Sequence, residues 1–224
     1  MTPRSTGKGA ETRQTILDHA LALATRVGIE GLTIGRLADD LGMSKSGLIA
    51  HFQTKEALQV QVLETGAHRF VEEVLRPALK APRGEPRLRA LFEGFLTWEA
   101  SPSLPGGCPL IAASTELDDR PGPARDYLVR ARRDFFDLLA GTVRSAIQEG
   151  HFRSDLDPEQ FTYEFWGAML GYHHASRLMR DPRASERATR AFDSMIRAAR
   201  VDGGAGPAAR ALATSSRSGV RSSR

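Results

Sequence analysis

Residues 33–58 read TIGRLADDLGMSKSGLIAHFQTKEAL. Apolar residues recur at helical spacing in two short runs of this stretch, with Leu37 and Leu41 in the first run and Leu48 and Phe52 in the second. Each run is long enough for about two helical turns. Two short amphipathic helices joined by a tight turn form a helix-turn-helix, whose second helix inserts into the major groove of DNA.

Capping residues delimit these helices. Thr33 and Ser44 are suited to be the N-caps of the two helices, and Gly42 ends the first of them. Thr54 would cap a fourth helix, and the periodicity before the motif predicts a first helix from about residue 10 to residue 27. The stretch therefore predicts a three-helix DNA-binding domain.

The rest of the chain also has helical periodicity, and no alternating run indicates a strand. The fourth helix is predicted to continue to about Arg76, where Pro77 ends or kinks it. Later helices are predicted at about 86–100, 108–118, 122–149, 158–180 and 184–200. The predicted fold is all-α with about nine helices.

The predicted organisation has four parts. They are a flexible basic arm (1–9), a helix-turn-helix DNA-binding domain (10–54), a helical domain (55–200) and a disordered basic tail (201–224). The tail is rich in Gly, Ala, Ser and Arg, with little that a core would bury.

Composition limits the class of protein without proving DNA binding. The net charge is +4 over 224 residues, but the chain from Arg197 onward holds six arginines and one aspartate, so the preceding part carries a net charge of −1. No apolar run is long enough for a membrane helix and no secretory signal opens the chain, so a cytoplasmic protein with no membrane partner is expected. A single cysteine, Cys108, excludes an internal disulfide framework.

The N-terminal sequence resembles the TetR/AcrR family of transcriptional regulators. The segments VGIEGLTI, RLADDLGMSKSGLIAHF and KEAL carry the resemblance, across residues 10–58. It implies a regulator that binds double-stranded operator DNA through the first domain and a small-molecule effector through the second. Phosphate contacts are implied for Thr33 and Lys55. The residues that would face the groove are Ser44, Lys45, Ser46, Gly47 and His51.

One position departs from the family pattern. Ile49 stands where these regulators usually have a tyrosine, so a phosphate contact is lost. Gly47 and Ala50 also offer little hydrogen bonding, which leaves apolar contacts to thymine methyl groups and DNA shape as sources of specificity. Basic residues near the start, Arg4, Lys8 and Arg13, are either additional phosphate contacts or solvated charges.

The second domain contains candidates for an effector pocket. Aromatic and sulfur-bearing residues fall on several predicted helices, as is typical of pockets between helices, although ordinary core packing is the commoner explanation for any one of them. The candidates are Phe95, Trp98, Cys108, Tyr163, Trp166 and His173. Cys108, at a predicted helix start, is either a reactive sensor thiol or a buried inert one.

The last two predicted helices, 158–180 and 184–200, correspond to the pair that forms a dimeric four-helix bundle in the family. A homodimer suits an operator with near-palindromic half-sites. Repression is the commoner role in the family, with release from the operator by the effector.

Other functions have less support in the sequence. No phosphate-binding glycine loop, nucleophile elbow or zinc-ligand spacing is present, so neither an enzyme nor a cofactor or metal is expected. Glu116, Asp118 and Asp119 are interpreted as a solvated helix end. The alternative function is a helical regulator of a partner protein that retains the helix-turn-helix as a scaffold.

Overall fold

The computed structural model describes residues 6–201 of the chain, and the side chains from residue 11 onward. Its helices confirm the all-α prediction. They are α1 (Thr6–Val27), α2 (Ile34–Leu41), α3 (Lys45–Phe52), α4 (Lys55–Phe70), α5 (Arg76–Leu79), α6 (Glu85–Glu99), α7 (Pro109–Leu117), α8 (Pro123–Gln148), α9 (Pro158–Arg177) and α10 (Ala184–Ala199). Within 6–201 the only β-type pairing is an isolated antiparallel bridge between Phe152 and Arg200.

The fourth helix corrects one of the two alternatives predicted for Pro77. The helix does not end there: α4 passes into a π-helical segment, Val71–Leu75, which continues into α5 as far as Leu79. Proline lacks the N–H that would bond to the carbonyl four residues earlier, and a π-helical turn directly before it changes the hydrogen-bond register. Counted as one interrupted helix, α4 to α5 brings the described part of the chain to nine helices.

The contacts divide the chain into two compact units. The first unit comprises residues 6–76 and 94–134, and the second comprises 77–93 and 135–201. In the first unit, α1 packs on α4 and α7, and α3 packs on α2 and α4. The leucines and other aliphatic residues of these helices form its core, with Leu21, Leu37, Leu48, Leu58 and Val62 fully buried.

The second unit has an aromatic core. The rings of Phe92 and Phe192 stack with centroids 4.3 Å apart. Phe165 meets both of them edge-on, at 6.0 Å from Phe92 and 5.7 Å from Phe192. These three residues join α6, α9 and α10, so aromatic packing holds the last two helices against each other.

The chain ends differ in how far they can be compared with the predictions. Helix α1 begins at Thr6, a few residues before the predicted start. The predicted flexible arm, residues 1–9, is corrected from residue 6 onward, where the chain is helical. Residues 1–5 and the predicted tail after Val201 lie outside the described residues. Within the part that is described, no helix combines the length and the apolar character needed to cross a membrane.

Candidate nucleic-acid interface

Helix α2 is capped as the sequence predicts. The Thr33 hydroxyl accepts a hydrogen bond from the Arg36 backbone N–H at 3.1 Å. At the other end Gly42 has φ +62°, and its N–H turns back to the carbonyls of Ala38 and Asp39. Glycine adopts this left-handed conformation without strain, so the chain can reverse within two residues and begin α3.

Helix α3 begins at a second cap, where Ser44 Oγ accepts from the Gly47 N–H at 3.1 Å. Leu48 and Phe52 are buried, with exposures of 0% and 1%, and they fix the inner face of the helix. The opposite face is open to solvent. It is formed by Lys45, Ser46, Ile49 and Ala50.

The first turn of α3 presents hydrogen-bonding groups and one cation. Ser44 Oγ and Ser46 Oγ lie 3.2 Å apart. The Lys45 side chain passes over Gly35 of α2, where a Cβ added to the glycine would lie 3.6 Å from Nζ. Two hydroxyls therefore stand at the N-terminus of α3, a position that favours anions, while the Lys45 ammonium group lies over the first turn of α2.

His51 and Lys55, like Gly47, are less open than the predicted contacts Thr33, Ser44, Lys45 and Ser46. Both are half-buried, and the His51 ring lies 6.1 Å from the Phe52 ring. Lys55 Nζ lies 3.4 Å from Glu30 Oε2. A DNA phosphate would therefore compete with the Glu30 carboxylate for Lys55.

Arg13 belongs to the folded domain. Its guanidinium lies over the Phe52 ring at 5.7 Å from the centroid and bonds to the side-chain oxygen of Gln61. Arg13, on α1, thus packs against Phe52, a buried residue of α3. Its interactions are those of a supporting residue in this unit, while Arg4 and the Lys8 side chain lie outside the described part.

Glu116 corrects the interpretation of the α7 end as simply solvated. Its carboxylate accepts hydrogen bonds from the backbone N–H groups of Ile29 at 3.1 Å and Glu30 at 2.9 Å. A Cβ on Gly28 would lie 2.6 Å from the same carboxylate. The turn between α1 and α2 is therefore held from α7, by a contact between residues more than 80 positions apart.

The Glu30 carboxylate, at this turn, has several hydrogen-bonding and ion-pair partners. Its carboxylate bonds to Arg120 Nη1 at 2.9 Å and to Gln59 Nε2 at 3.1 Å, in addition to Lys55. Burial acts to raise the pKa of Glu30, but the hydrogen bond from Gln59 and the charges of Lys55 and Arg120 outweigh it, and the pKa is lowered. Glu30 therefore stays ionised near neutral pH and pairs with the Lys55 ammonium group.

Two family models match the chain over these features. The model described as "Bacterial regulatory proteins, tetR family" matches residues 16–62, and "Tetracyclin repressor-like, C-terminal domain" matches residues 84–192. Together they span most of the chain. The protein belongs to the TetR family. Members of this family are ligand-responsive DNA-binding transcriptional regulators and not enzymes.

Individual relatives agree with the TetR assignment. The chain is 24% identical to the HTH-type transcriptional repressor KstR2 of Rhodococcus jostii over 159 residues, covering 70% of this chain and 76% of the relative. A TetR regulator from Chloroflexus aurantiacus superposes with a TM-score of 0.79 at 23% identity, covering 87% of this chain and 98% of that one. AibR, in complex with isovaleryl coenzyme A and operator DNA, gives a TM-score of 0.66 at 25% identity, with 82% and 95% covered.

Three of the predicted effector-pocket residues lie in the first unit of this TetR protein. Phe95, Trp98 and Cys108 are all buried there. The Cys108 N–H donates to Glu99 Oε2 at 3.0 Å. Burial raises the pKa of the Cys108 thiol, although its interaction with Trp98 acts in the opposite direction. A protonated, enclosed thiol favours the inert interpretation over the reactive sensor.

The other three pocket candidates lie on α9 in the second unit, and they differ in exposure. Tyr163 is 72% exposed, so it does not line an enclosed cavity as predicted. Trp166 is half-buried against Phe135 and Phe136, at ring distances of 6.3 and 5.8 Å, and His173 is half-buried. The sequence placed these residues on one predicted helix, but helical periodicity could not tell that Tyr163 faces the solvent whereas Trp166 and His173 are half-buried.

Proposed function

We propose that the protein is a homodimeric cytoplasmic repressor that binds a near-palindromic operator and leaves it when a small molecule binds. The observation that carries the proposal is the outward face of α3, with Lys45 and Ser46 exposed beside the Ser44 cap. KstR2 is named as a repressor, and AibR was solved with isovaleryl coenzyme A and operator DNA. Both precedents support the same arrangement here.

Each predicted DNA contact has a chemical role in this proposal. Lys45 and Ser46 donate to base edges, and the backbone N–H groups near the Ser44 cap face a phosphate. Thr33 can donate its hydroxyl hydrogen to a phosphate while its oxygen still caps α2. Lys55 leaves the Glu30 carboxylate and binds a second phosphate instead. Gly47 allows close approach of the backbone, and His51 contacts DNA from the flank of the helix.

The proposed dimer uses the open face of α9. Tyr163 and Leu170 are exposed on this helix, and Leu178 and Met179 are exposed just after it ends. Between them, Gly167 and Gly171 have open space where a Cβ would be. Large apolar groups interrupted by glycines let a second helix approach closely, and a second copy of the chain would bury this surface.

The effector site is proposed among the buried residues of the first unit. Phe95, Trp98 and Cys108 share this unit with Arg132, whose pKa is lowered to about 10 by desolvation. An effector bound there changes DNA affinity only to the extent that it prefers one arrangement of the protein over another. The Glu116 contact with the turn before α2 is a route by which such a preference reaches α3.

Operator binding by single-alanine variants tests the proposal. Lys45→Ala and His51→Ala are expected to cost about 1–3 kcal/mol each at a base contact, measured by fluorescence anisotropy on DNA selected from the region beside the gene. Lys80→Ala removes an exposed lysine distant in sequence from the motif and serves as the charge-matched control. Unchanged affinity for both test variants would refute the groove assignment.

The salt dependence and stoichiometry of binding separate this function from a protein-interaction scaffold. A dimer that contacts phosphates loses affinity steeply as salt rises and saturates at two chains per operator. A chain that keeps the helix-turn-helix only as a scaffold would show neither a preferred DNA sequence nor a two-chain complex.

A further inference from the structure

Ile49 occupies the middle of the outward face of α3 and is 49% exposed. Among the described side chains of α1, α2 and α3 it is the only large apolar one that is open to this degree. A single exposed apolar residue is ordinary on a protein surface. What distinguishes Ile49 is its position, because it lies on the same face as Lys45 and one turn after it.

The dimensions of α3 place Ile49 against base pairs whenever the first turn is in the groove. The helix has eight residues and is about 12 Å long, and the major groove is about 12 Å wide. Ile49 is the fifth residue of the helix. A recognition helix that brings Lys45 and Ser46 to base edges therefore also brings Ile49 to the groove floor.

The exposed residues in the second half of this face offer DNA only apolar contact, and the His51 ring beside them is half-buried at the flank of the helix. These exposed residues are Ile49 and Ala50, and neither side chain has a hydrogen-bonding group. In unmodified DNA the major groove displays one apolar group, the C5-methyl of thymine. Removing that methyl and the exposed Ile49 side chain from water together is favourable, whereas placing Ile49 against a polar base edge would leave donors or acceptors unpaired.

We propose that Ile49 is a specificity-determining residue that selects a thymine in each operator half-site through its C5-methyl group. The inference rests on the proposed function, because it requires that α3 enters the groove of a specific site. It also assigns a positive role to the residue that replaces a phosphate-binding tyrosine. The replacement exchanges a sequence-independent contact for a sequence-dependent one.

Deoxyuridine substitution provides a direct test, because it removes only the methyl group and leaves base pairing intact. The full-length protein would first select its site from a random duplex library. Each thymine of the selected half-site would then be replaced singly by deoxyuridine, and the Kd measured by anisotropy at constant salt. At one position, removal of the methyl group is expected to raise the Kd about fourfold in a single half-site and about 15-fold when both half-sites are substituted.

Variants at position 49 connect the effect to this side chain. Ile49→Ala is expected to bind the thymine operator more weakly than the unaltered protein does. It should bind the thymine and the deoxyuridine operators with the same affinity. Ile49→Val, which is one methylene shorter, is expected to retain part of the discrimination. Leu79→Ala is the matched control, since Leu79 is also an apolar residue, 43% exposed, but lies on α5. It should discriminate as the unaltered protein does, and thermal melting would confirm that all variants fold.

The possible results separate this inference from the proposed function. If no sequence is enriched, the proposed function fails and the inference fails with it. If a site is enriched but contains no thymine, or every deoxyuridine duplex binds unchanged, only the inference is overturned. Discrimination that persists in Ile49→Ala would also overturn it, because another residue would then read the methyl.

Discussion

Helices α3 and α9 both expose apolar side chains, but in different surroundings. On α3 a single isoleucine stands among a lysine, a serine and an alanine, whereas on α9 and just beyond it Tyr163, Leu170 and Leu178 are all exposed. An isolated apolar residue within a polar face suits a polar partner with one methyl group to recognise. A row of large apolar residues suits a protein partner whose surface is also apolar. Comparing the two helices thus separates the proposed DNA surface from the proposed dimer surface.

The largest expected effect contrasts an inner aromatic residue of α3 with an outer one of α9. Phe52→Ala removes a side chain that is 1% exposed, and the cavity is expected to lower the free energy of unfolding by about 3–5 kcal/mol. Tyr163→Ala should change the unfolding of the monomer by less than about 0.5 kcal/mol. Urea denaturation measures both.

Tyr163→Ala is expected to act on assembly instead. Sedimentation at a series of concentrations should show a weaker dimer for Tyr163→Ala and an unchanged one for Lys80→Ala. A stable, fully dimeric Tyr163→Ala would contradict the assignment of the α9 face.

The next largest expected effect concerns the ion pairs that stabilise the unit containing α9. Glu85 accepts from Arg200 at 2.8 and 2.6 Å and from Arg89 at 2.8 Å, and Arg89 also bonds to Asp193. Glu85→Gln leaves Arg200 without the Glu85 carboxylate and Arg89 with Asp193 as its remaining carboxylate partner. It is expected to cost about 2 kcal/mol of unfolding free energy at neutral pH, measured by urea denaturation.

The pH dependence of that cost follows from the pKa of Glu85. Burial acts to raise this pKa, but the hydrogen bonds from Arg200 and Arg89 outweigh burial and lower it from the usual value of 4.5. The stabilisation is therefore fully present above about pH 4.5 and is lost as the pH falls through the lowered pKa. The stability difference between the unaltered protein and Glu85→Gln should shrink over that acidic range. A difference that stays constant there would show that Glu85 contributes nothing through its charge.

A smaller effect compares the caps of the two helices. Ser44→Ala and Asp157→Ala each remove a side chain that accepts backbone N–H groups, from Gly47 for α3 and from Glu159 and Gln160 for α9. Each is expected to cost about 1 kcal/mol of unfolding free energy. Only Ser44→Ala should also weaken DNA binding. Equal effects on DNA affinity would mean that the α3 cap has no role beyond stability.

The smallest effect is on the salt dependence of DNA binding. Ile49→Tyr restores the residue type usual in the TetR family and is expected to add one phosphate contact. The slope of log K against log salt concentration should then become steeper by about 0.9 per half-site. An unchanged slope would indicate that the side chain at position 49 does not reach the backbone of the DNA.

The helix-turn-helix was predictable from the sequence because its determinants are local. Thr33, Ser44 and Thr54 cap helices through bonds to residues three positions away, and the φ of Gly42 depends on its own missing side chain. The predicted caps and the buried pair Leu48 and Phe52 are confirmed for the same reason. Short-range hydrogen bonds and helical periodicity leave a direct pattern in the order of residues.

Contacts between distant residues were decided only by the tertiary structure. Glu116 holds the turn before α2 across more than 80 residues, and Arg13 braces Phe52 from another helix. Periodicity placed Tyr163 on a helix without revealing that its side chain is exposed. The sequence by itself thus determined which helices form and which residues share a face. Which face is covered, and which charges meet, depends on how the helices pack, and no local pattern encodes that packing.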